Sequence, residues 1–239
     1  DVCSSDLNDR DSFNFSIDEP GFQDTETNFF TAQLDWDVAF GDGTVTRIFG
    51  WREFDQAGSL DGDGQPIWIF HAPFWLDAEQ TSFELRYNGM FGERANVTVG
   101  TFFFDNELTY AERRELLGVA TGGVAPVATQ DGGGQYEVES YTLFAQVDYD
   151  LTDQWVLTAG VNFSSEEKKA NIASLARNVN TGCNLVEGPI CPFDFSDEED
   201  WSNVAPKVGL TYLLEQGRLY THWTKGFRSG GYNLRNASL

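Results

Sequence analysis

The segment from residue 201 to residue 233 limits most strongly what this chain can fold into. Its first half alternates between apolar residues and small or polar ones. The apolar positions are Val204, Pro206, Val208, Leu210, Tyr212 and Leu214, and those between them include Asn203, Ala205, Lys207, Gly209 and Thr211. A period of two residues predicts a β-strand with one apolar face. Residues 215–217 then predict a tight hairpin turn, because glycine at position 217 permits a compact connection.

The second arm of this hairpin alternates in the same way, from Leu219 to Phe227. Each arm is about 11 to 14 residues long, which reaches the roughly 9 to 11 residues of a tilted membrane-spanning strand. Strands of soluble proteins usually end near 5 or 6 residues. Strand length, more than hydrophobicity, therefore indicates a β protein that crosses a membrane.

Composition narrows the class of protein further. The 239 residues fit one large all-β domain or two small ones, and no run approaches 18 apolar residues, so no transmembrane helix is predicted. The formal net charge of −23 repels nucleic acid, which excludes it as a partner. Acidic residues concentrate at 9–24, 55–63 and 194–200. These segments are interpreted as solvated loops, with cation binding as the alternative.

Six further segments are predicted as strands, four from their two-residue period and two, residues 44–52 and 95–105, as the returning arms of hairpins. They are residues 33–40, 44–52, 83–88, 95–105, 141–150 and 155–164. Short turns are expected between the members of each pair, as at residues 151–153. The segments between pairs are expected to be long loops, at residues 53–80, 106–138 and 168–200, after an N-terminal polar loop at residues 8–30. A helical turn is expected near residues 111–117.

The fold class predicted from this order is all-β, a portion of an antiparallel transmembrane β-barrel. It has about eight long strands in four hairpins, with short periplasmic turns and long extracellular loops. Aromatic residues near the ends of the apolar faces, such as Trp36, Tyr149, Trp155 and Phe163, fit the girdles at membrane interfaces. The alternative is that these rings form the core of a soluble sandwich, although that fold does not need strands of this length.

Two cysteines lie in one predicted loop, C-N-L-V-E-G-P-I-C, at Cys183 and Cys191. A disulfide between them closes a small ring worth about 2.5 kcal/mol on the chain-entropy model and implies an oxidising compartment. A zinc site is the alternative, but neither histidine has zinc-site spacing to them. Cys3 belongs to residues 1–7, which match nothing around them and are interpreted as a non-native scar.

The sequence Y-T-H-W-T-K-G-F-R-S-G-G-Y-N at residues 220–233 resembles a pattern of TonB-dependent outer-membrane receptors. The hairpin at residues 141–163 is similar to another barrel hairpin of that family, and residues 83–87 and 204–212 fit the same alignment. The resemblance covers roughly residues 33–233. It implies a 22-stranded barrel in the bacterial outer membrane, with a plug domain in its lumen, that imports a scarce ligand such as a ferric chelate.

The same resemblance implies that a TonB complex supplies the energy through an N-terminal box. The sequence shows neither a plug nor such a box, and about eight strands do not account for a whole barrel. Residues 8–239 are therefore interpreted as part of the barrel domain, with the plug and the other strands absent.

Polar residues of the predicted strands are expected to face the lumen, because an Arg or Lys facing lipid near the midplane costs about 2–4 kcal/mol. Hydrogen bonding to a plug or to lumen water is the expected role of most of them, and ligand contact is the alternative. The expected lumen-facing residues are Glu84, Arg86, Asn88, Gln146, Asp148, Asn162, Lys207, His222 and Arg228.

Other motifs do not support an enzyme. Asp61-Gly62-Asp63-Gly64 lacks the distal Glu of a calcium loop and is interpreted as a polar turn. Residues 132–134 are glycines with no Lys-Ser/Thr after them, so they do not form a phosphate loop. No cofactor or metal site is predicted. Two further hypotheses remain beside the receptor: a passive outer-membrane porin or adhesin, and a secreted β-sandwich such as a carbohydrate-binding module or hydrolase.

Overall fold

The chain forms one large antiparallel sheet in a computed structural model that describes residues 17–235. Single 3₁₀ turns lie at Phe40–Asp42 and Gly118–Thr121. The strands are β1 (Phe22–Val38), β2 (Gly43–Ser59), β3 (Phe70–His71), β4 (Phe74–Phe91), β5 (Ala95–Leu116), β6 (Ala128–Asp150), β7 (Trp155–Ala173), β8 (Phe195–Leu214) and β9 (Gly217–Thr224). No helix of residues 17–235 is long and apolar enough to span a bilayer.

The sheet order is β1-β2-β4-β5-β6-β7-β8-β9, with the short β3 paired to β5. The strands form four hairpins, β1–β2, β4–β5, β6–β7 and β8–β9. A connection of a few residues joins the two strands of each hairpin, and all four of these connections lie at one end of the sheet, here called the turn end. The longer connections lie at the opposite end, the loop end. The predicted all-β fold with alternating short and long connections is therefore confirmed. Within residues 17–235 the sheet is not closed, since β1 and β9 form its edges.

The strands extend further towards the loop end than the sequence predicted, so the bounds of the predicted long loops were wrong. Residues 22–30 and the ends of the segments 53–80, 106–138 and 168–200 are strand, and the expected helical turn near residues 111–117 is mostly the end of β5. The reason is that these strand ends mix polar and apolar residues on both faces and carry no alternating pattern. The inter-strand backbone hydrogen bonds nevertheless continue through them, as between β5 and β6 from Ala95–Tyr149 to Leu116–Ala128.

One face of the sheet carries an apolar band, here called the apolar face. In β6 the band extends from Tyr149 to Tyr141, and in β7 from Trp155 to Phe163. Eight residues of strand span about 26 Å, close to the apolar band of an outer-membrane barrel, which is about 25 Å tall. All four of these aromatic residues are at least 38% exposed, because no other part of the described chain covers the band. Arg47 is a charged exception within this band.

Aromatic rings cluster at the turn end of this face. The ring centroids of Phe40 and Phe91 are 4.9 Å apart, and those of Trp155 and Tyr212 are 4.7 Å apart. Tyr87 donates its hydroxyl to the Phe40 carbonyl at 2.6 Å. Rings that keep a polar group near the end of an apolar band are typical of a membrane interface.

The last strand ends at Thr224, so the prediction that it continues through Phe227 and Arg228 was wrong. Pro206 explains where it ends. Its carbonyl accepts the Lys225 amide at 3.2 Å, but proline has no amide hydrogen to return the second bond of that pair. Glycines at 226, 230 and 231 further weaken strand formation. Residues 225–235, here called the strap, instead cross the polar face of the sheet.

Candidate functional site

The face opposite the apolar band, here called the polar face, carries eight of the nine residues predicted to face a lumen. The strand register places these residues in neighbouring rows. Arg86 is in line with Asn162, Asn88 with Gln146 and Lys207, and Asp148 with His222. Glu84 lies one row towards the loop end from Arg86. Arg228, the ninth residue, lies in the strap and is exposed.

An ion pair and several hydrogen bonds join the predicted residues of β4 and their neighbours. Arg86 contacts the Glu84 carboxylate at 3.0 Å, from Nη1 to Oε1. In the row of Arg86, Thr46 donates its hydroxyl to Asp35 at 2.7 Å. The Asn88 amide donates to Thr98 at 2.8 Å. These contacts fix the side chains across β1, β2, β4 and β5 and leave the polar face ordered near the turn end.

A second network supports Lys207. Lys207 donates through Nζ to the Gln146 carbonyl oxygen at 3.1 Å, and the Gln146 amide donates to one oxygen of Asp148 at 2.9 Å. Thr158 donates its hydroxyl to the other oxygen of Asp148 at 2.5 Å. The amide of Gln146 therefore separates the Lys207 ammonium from the Asp148 carboxylate.

A recess of about 490 Å³ lies on the polar face beside this network. Phe144 and Phe227 contribute aromatic rings to it, and Gly160 and Ala205 leave room between the strands. Its polar side chains come from β6, β7, β8 and β9. They are Gln146, Asn162, Ser164, Asn203, Lys207 and Thr224.

The strap is held on the polar face by three groups of contacts. Lys168 donates to the Ser229 hydroxyl at 2.6 Å and to a strap carbonyl at 2.8 Å. Tyr232 donates its hydroxyl to Asp197 at 3.0 Å, and burial together with this bond raises the pKa of Tyr232 to about 12. Arg235 donates to Glu112 at 2.7 Å. That hydrogen bond raises the pKa of Arg235.

The longest connection, residues 174–194, folds over the loop end of the apolar face. Cys183 and Cys191 are joined in a disulfide with an S–S distance of 2.01 Å and pack against Ala111. Asp131, fully buried, accepts a hydrogen bond from Arg113 at 2.6 Å and one from the Gly182 amide at 2.9 Å. These contacts hold the middle of the connection against the sheet.

The end of the same connection is held by Asp194. Ser174 donates to it through its backbone amide at 2.9 Å and through its hydroxyl at 2.5 Å. Burial alone would raise the pKa of Asp194, but the hydrogen bonds from Ser174 and the charge of Arg177 outweigh it and lower that pKa.

The described part of the chain offers no ready metal centre. Among residues 17–235, no group of three or more His, Cys, Asp and Glu side chains is placed to hold a metal ion. Asp61 instead accepts the backbone amides of Asp63 and Gly64, at 3.1 and 2.8 Å, as a polar turn does. The predicted scar at residues 1–7, with Cys3, lies outside the described residues.

Sequence reasoning missed several residues of the site. Phe144 and Asn203 lie in the recess, while Lys168 and Glu112 hold the strap. Phe144 and Asn203 fall on the polar parity of their strands, so the alternation itself could have found them. Lys168 and Glu112 fell in segments predicted as loops, where no face was assigned.

The family model described as TonB dependent receptor-like, beta-barrel matches residues 4–238. The chain belongs to the TonB-dependent receptor family. Receptors of this family are outer-membrane transport proteins and not enzymes, and the chain's open nine-stranded sheet fits part of their barrel. No curated protein sequence gives a significant match.

Solved structures share this fold. The ferric yersiniabactin uptake receptor FyuA from Yersinia pestis superposes with a TM-score of 0.72 at 16% identity over 92% of this chain. The siderophore receptor PiuA from Acinetobacter baumannii gives 0.64 at 14% identity over 88% of it. The ferric citrate transporter FecA gives 0.53 at 15% identity over 83%. The matches cover 31%, 33% and 27% of those proteins, so this chain spans about a third of their length.

Proposed function

We propose that this chain is the barrel segment of an outer-membrane receptor that imports a scarce ligand such as a ferric siderophore. The polar face lines the lumen, where Glu84, Arg86, Asn88, Asn162 and their neighbours contact a plug domain or the passing ligand. The apolar band faces outer-membrane lipid. A plug and a TonB-contacting region, encoded with this segment, complete the transporter.

Family membership over residues 4–238 carries this proposal. Two features of the sheet support it. The polar and apolar side chains are sorted onto opposite faces, as the wall of a water-filled barrel requires. The three structures reported above are, by their descriptions, an uptake receptor for ferric yersiniabactin, a siderophore receptor and a ferric citrate transporter. Iron chelates are therefore the first ligands to test.

Uptake of radioactive iron chelates by cells that produce the whole receptor tests the proposal. A panel of ferric siderophores and ferric citrate is supplied under iron limitation, with and without TonB. We expect uptake of at least one chelate to require both the receptor and TonB. Uptake that persists without TonB would support the passive porin instead. An adhesin would give no receptor-dependent uptake of any member of the panel.

The polar-face residues are tested in the same cells. Arg86 is exchanged for Met, and Arg94, an exposed residue in the turn between β4 and β5, is exchanged as the matched control. We expect the Arg86 variant to reduce TonB-dependent uptake and the Arg94 variant to keep it. Equal uptake by both variants would remove Arg86 from the proposed contacts.

A further inference from the structure

The recess on the polar face differs in charge from two hollows near the loop end of this acidic chain. Its lining, drawn from residues 17–235, contains Lys207 and no Asp or Glu. Two hollows near the loop end are lined by carboxylates instead. Their acidic residues are Asp18, Glu19 and Glu115 in one, and Asp24, Glu26, Asp55 and Glu187 in the other. In a chain with a net charge of −23, a hollow with a cation and no acid favours a negatively charged occupant.

The charge of Lys207 is not neutralised by the groups that hold it in place. Its one side-chain partner is the neutral amide of Gln146, and it makes no ion pair with a carboxylate of residues 17–235. Asp148 lies behind that amide, with its oxygens occupied by Gln146 and Thr158. An ammonium group has three donors, so Lys207 keeps hydrogen-bonding capacity for an occupant of the recess.

The rest of the recess supplies neutral donors and a partly apolar wall. The side chains of Asn162, Ser164 and Asn203 make no hydrogen bond to another side chain or backbone group in the described part of the chain. Their N–H and O–H groups can donate to an oxyanion. The rings of Phe144 and Phe227 form an apolar part of its wall.

We propose that this recess is a carboxylate-binding site on the lumen wall. Lys207 is its charged contact, and Asn162, one row towards the loop end, is the nearest neutral donor. The site rests on the proposed function, because it assumes that the polar face lines the lumen and names the chemical group that is bound there. The carboxylate can come from two sources: a ferric chelate with free carboxylates, or an Asp or Glu side chain of the plug.

Two variants of the whole receptor in outer-membrane vesicles test the site. Lys207→Met removes the cation. Gln146→Glu keeps the lysine and the side-chain length but places a carboxylate on Nζ, which neutralises it. Lys169→Met is the matched control, because Lys169 lies on the opposite face and pairs with Glu167 at 2.6 Å.

Binding of two iron chelates tests the first source. Ferric citrate carries free carboxylates, whereas ferrioxamine B carries none. If the chelate is the occupant, Lys207→Met and Gln146→Glu weaken ferric citrate binding about tenfold, as the loss of one charge-assisted hydrogen bond predicts. They leave ferrioxamine B binding unchanged, and Lys169→Met changes neither.

Carbodiimide coupling tests the second source, because it joins an amine to a carboxylate in contact with it. If the plug supplies the carboxylate, peptide mass spectrometry finds Lys207 joined to a plug Asp or Glu. In the Gln146→Glu variant Lys207 is expected to couple to the new carboxylate at residue 146 instead, which shows that its amine is reactive. A receptor that still imports ferric chelates, but shows neither selective loss of ferric citrate binding nor a Lys207–plug product, overturns this site and keeps the proposed function.

Discussion

The contact between Arg235 and Glu112 sets how firmly the end of the strap is held. Its two partners differ in exposure, since the Glu112 side chain is 2% exposed and that of Arg235 is 61% exposed. A hydrogen bond to a charged group contributes about 1.5–3 kcal/mol, and the exposure of Arg235 reduces this towards the 0–1 kcal/mol of a surface pair. We expect Arg235→Ala to lower the free energy of strap detachment by about 1 kcal/mol, which increases the detached fraction about fivefold.

Replacing Glu112 is expected to cost more. Glu112 also accepts hydrogen bonds from Tyr110 at 2.8 Å and from Arg114 at 2.9 Å. Glu112→Ala leaves both donors without their acceptor in a partly buried place. Breaking a buried pair in this way costs about 3 kcal/mol or more. Tyr110 and Arg114 lie on the same strand as Glu112, so this extra cost falls on the sheet, and strap opening should rise about as much as in the Arg235 variant.

Hydrogen exchange of the backbone amides at residues 226–234, measured by mass spectrometry on the purified receptor, reports strap opening. Adding Arg235→Ala to Glu112→Ala should change the exchange little, because the contact is already lost. Arg177→Ala is the control, since Arg177 is an exposed arginine paired with Asp194 in a different segment. Unchanged exchange in both the Arg235 and the Glu112 variant would refute this account of the strap.

Three further predictions follow from local geometry. Gly100→Ala should destabilise the barrel by about 1–3 kcal/mol in thermal unfolding, because the added Cβ would lie 2.8 Å from the Leu85 carbonyl oxygen. Gly160→Ala should cost less than about 1 kcal/mol, because the atom nearest to its added Cβ is 3.2 Å away. The pKa of Asp194 is lowered in the folded protein, so its ionised carboxylate stabilises the 174–194 connection above pH 3.8. This stabilisation is lost as the pH falls through the pKa of the folded state, so protease nicking of the connection should rise below pH 3.8. The Asp194→Asn variant should lose this pH dependence. A non-reduced digest should contain Cys183 joined to Cys191, and reduction should speed nicking of the same connection.

Alternation predicted the central part of each strand because it is a local signal. Residues 141–149 show the strand, its apolar face and the aromatic limits of the band within nine positions of the sequence. Towards the loop end the alternation stops, since at Glu137 and Glu139 the apolar parity itself becomes acidic. Strand β6 continues to Ala128 because its backbone stays paired with β5. Backbone hydrogen bonding needs no hydrophobic pattern, so the sequence carries no signal for these strand ends, and they were predicted as loops.

The recess and the strap depend on register and on long-range contacts, which no single segment shows. Lys168 meets Ser229 across 61 positions of sequence, and Arg235 meets Glu112 across 123. Pro206 is the one feature of the sequence that could have predicted the end of β9. A proline in a strand is tolerated where the position of its missing amide hydrogen faces an edge, so Pro206 indicates that the neighbouring strand ends at the level of this residue.

The register also explains how a chain of net charge −23 can present an apolar band. Phe49, Phe83, Phe103 and Tyr141 lie side by side on the apolar face of β2, β4, β5 and β6. Four residues further towards the loop end, the same strands place four carboxylates side by side on the same face. They are Glu53, Glu79, Glu107 and Glu137.

Like charges directly opposite each other destabilise a sheet, and water screens this repulsion while lipid does not. The glutamate row must therefore stand in water, and the aromatic row belongs to the lipid interface of the proposed barrel. Four residues of strand separate the two rows by about 13 Å, so the outer surface of the membrane lies within that interval. The same side of each strand is thus apolar over the band and acidic nearer the loop end, and the acidic residues limit how deeply the barrel enters the membrane.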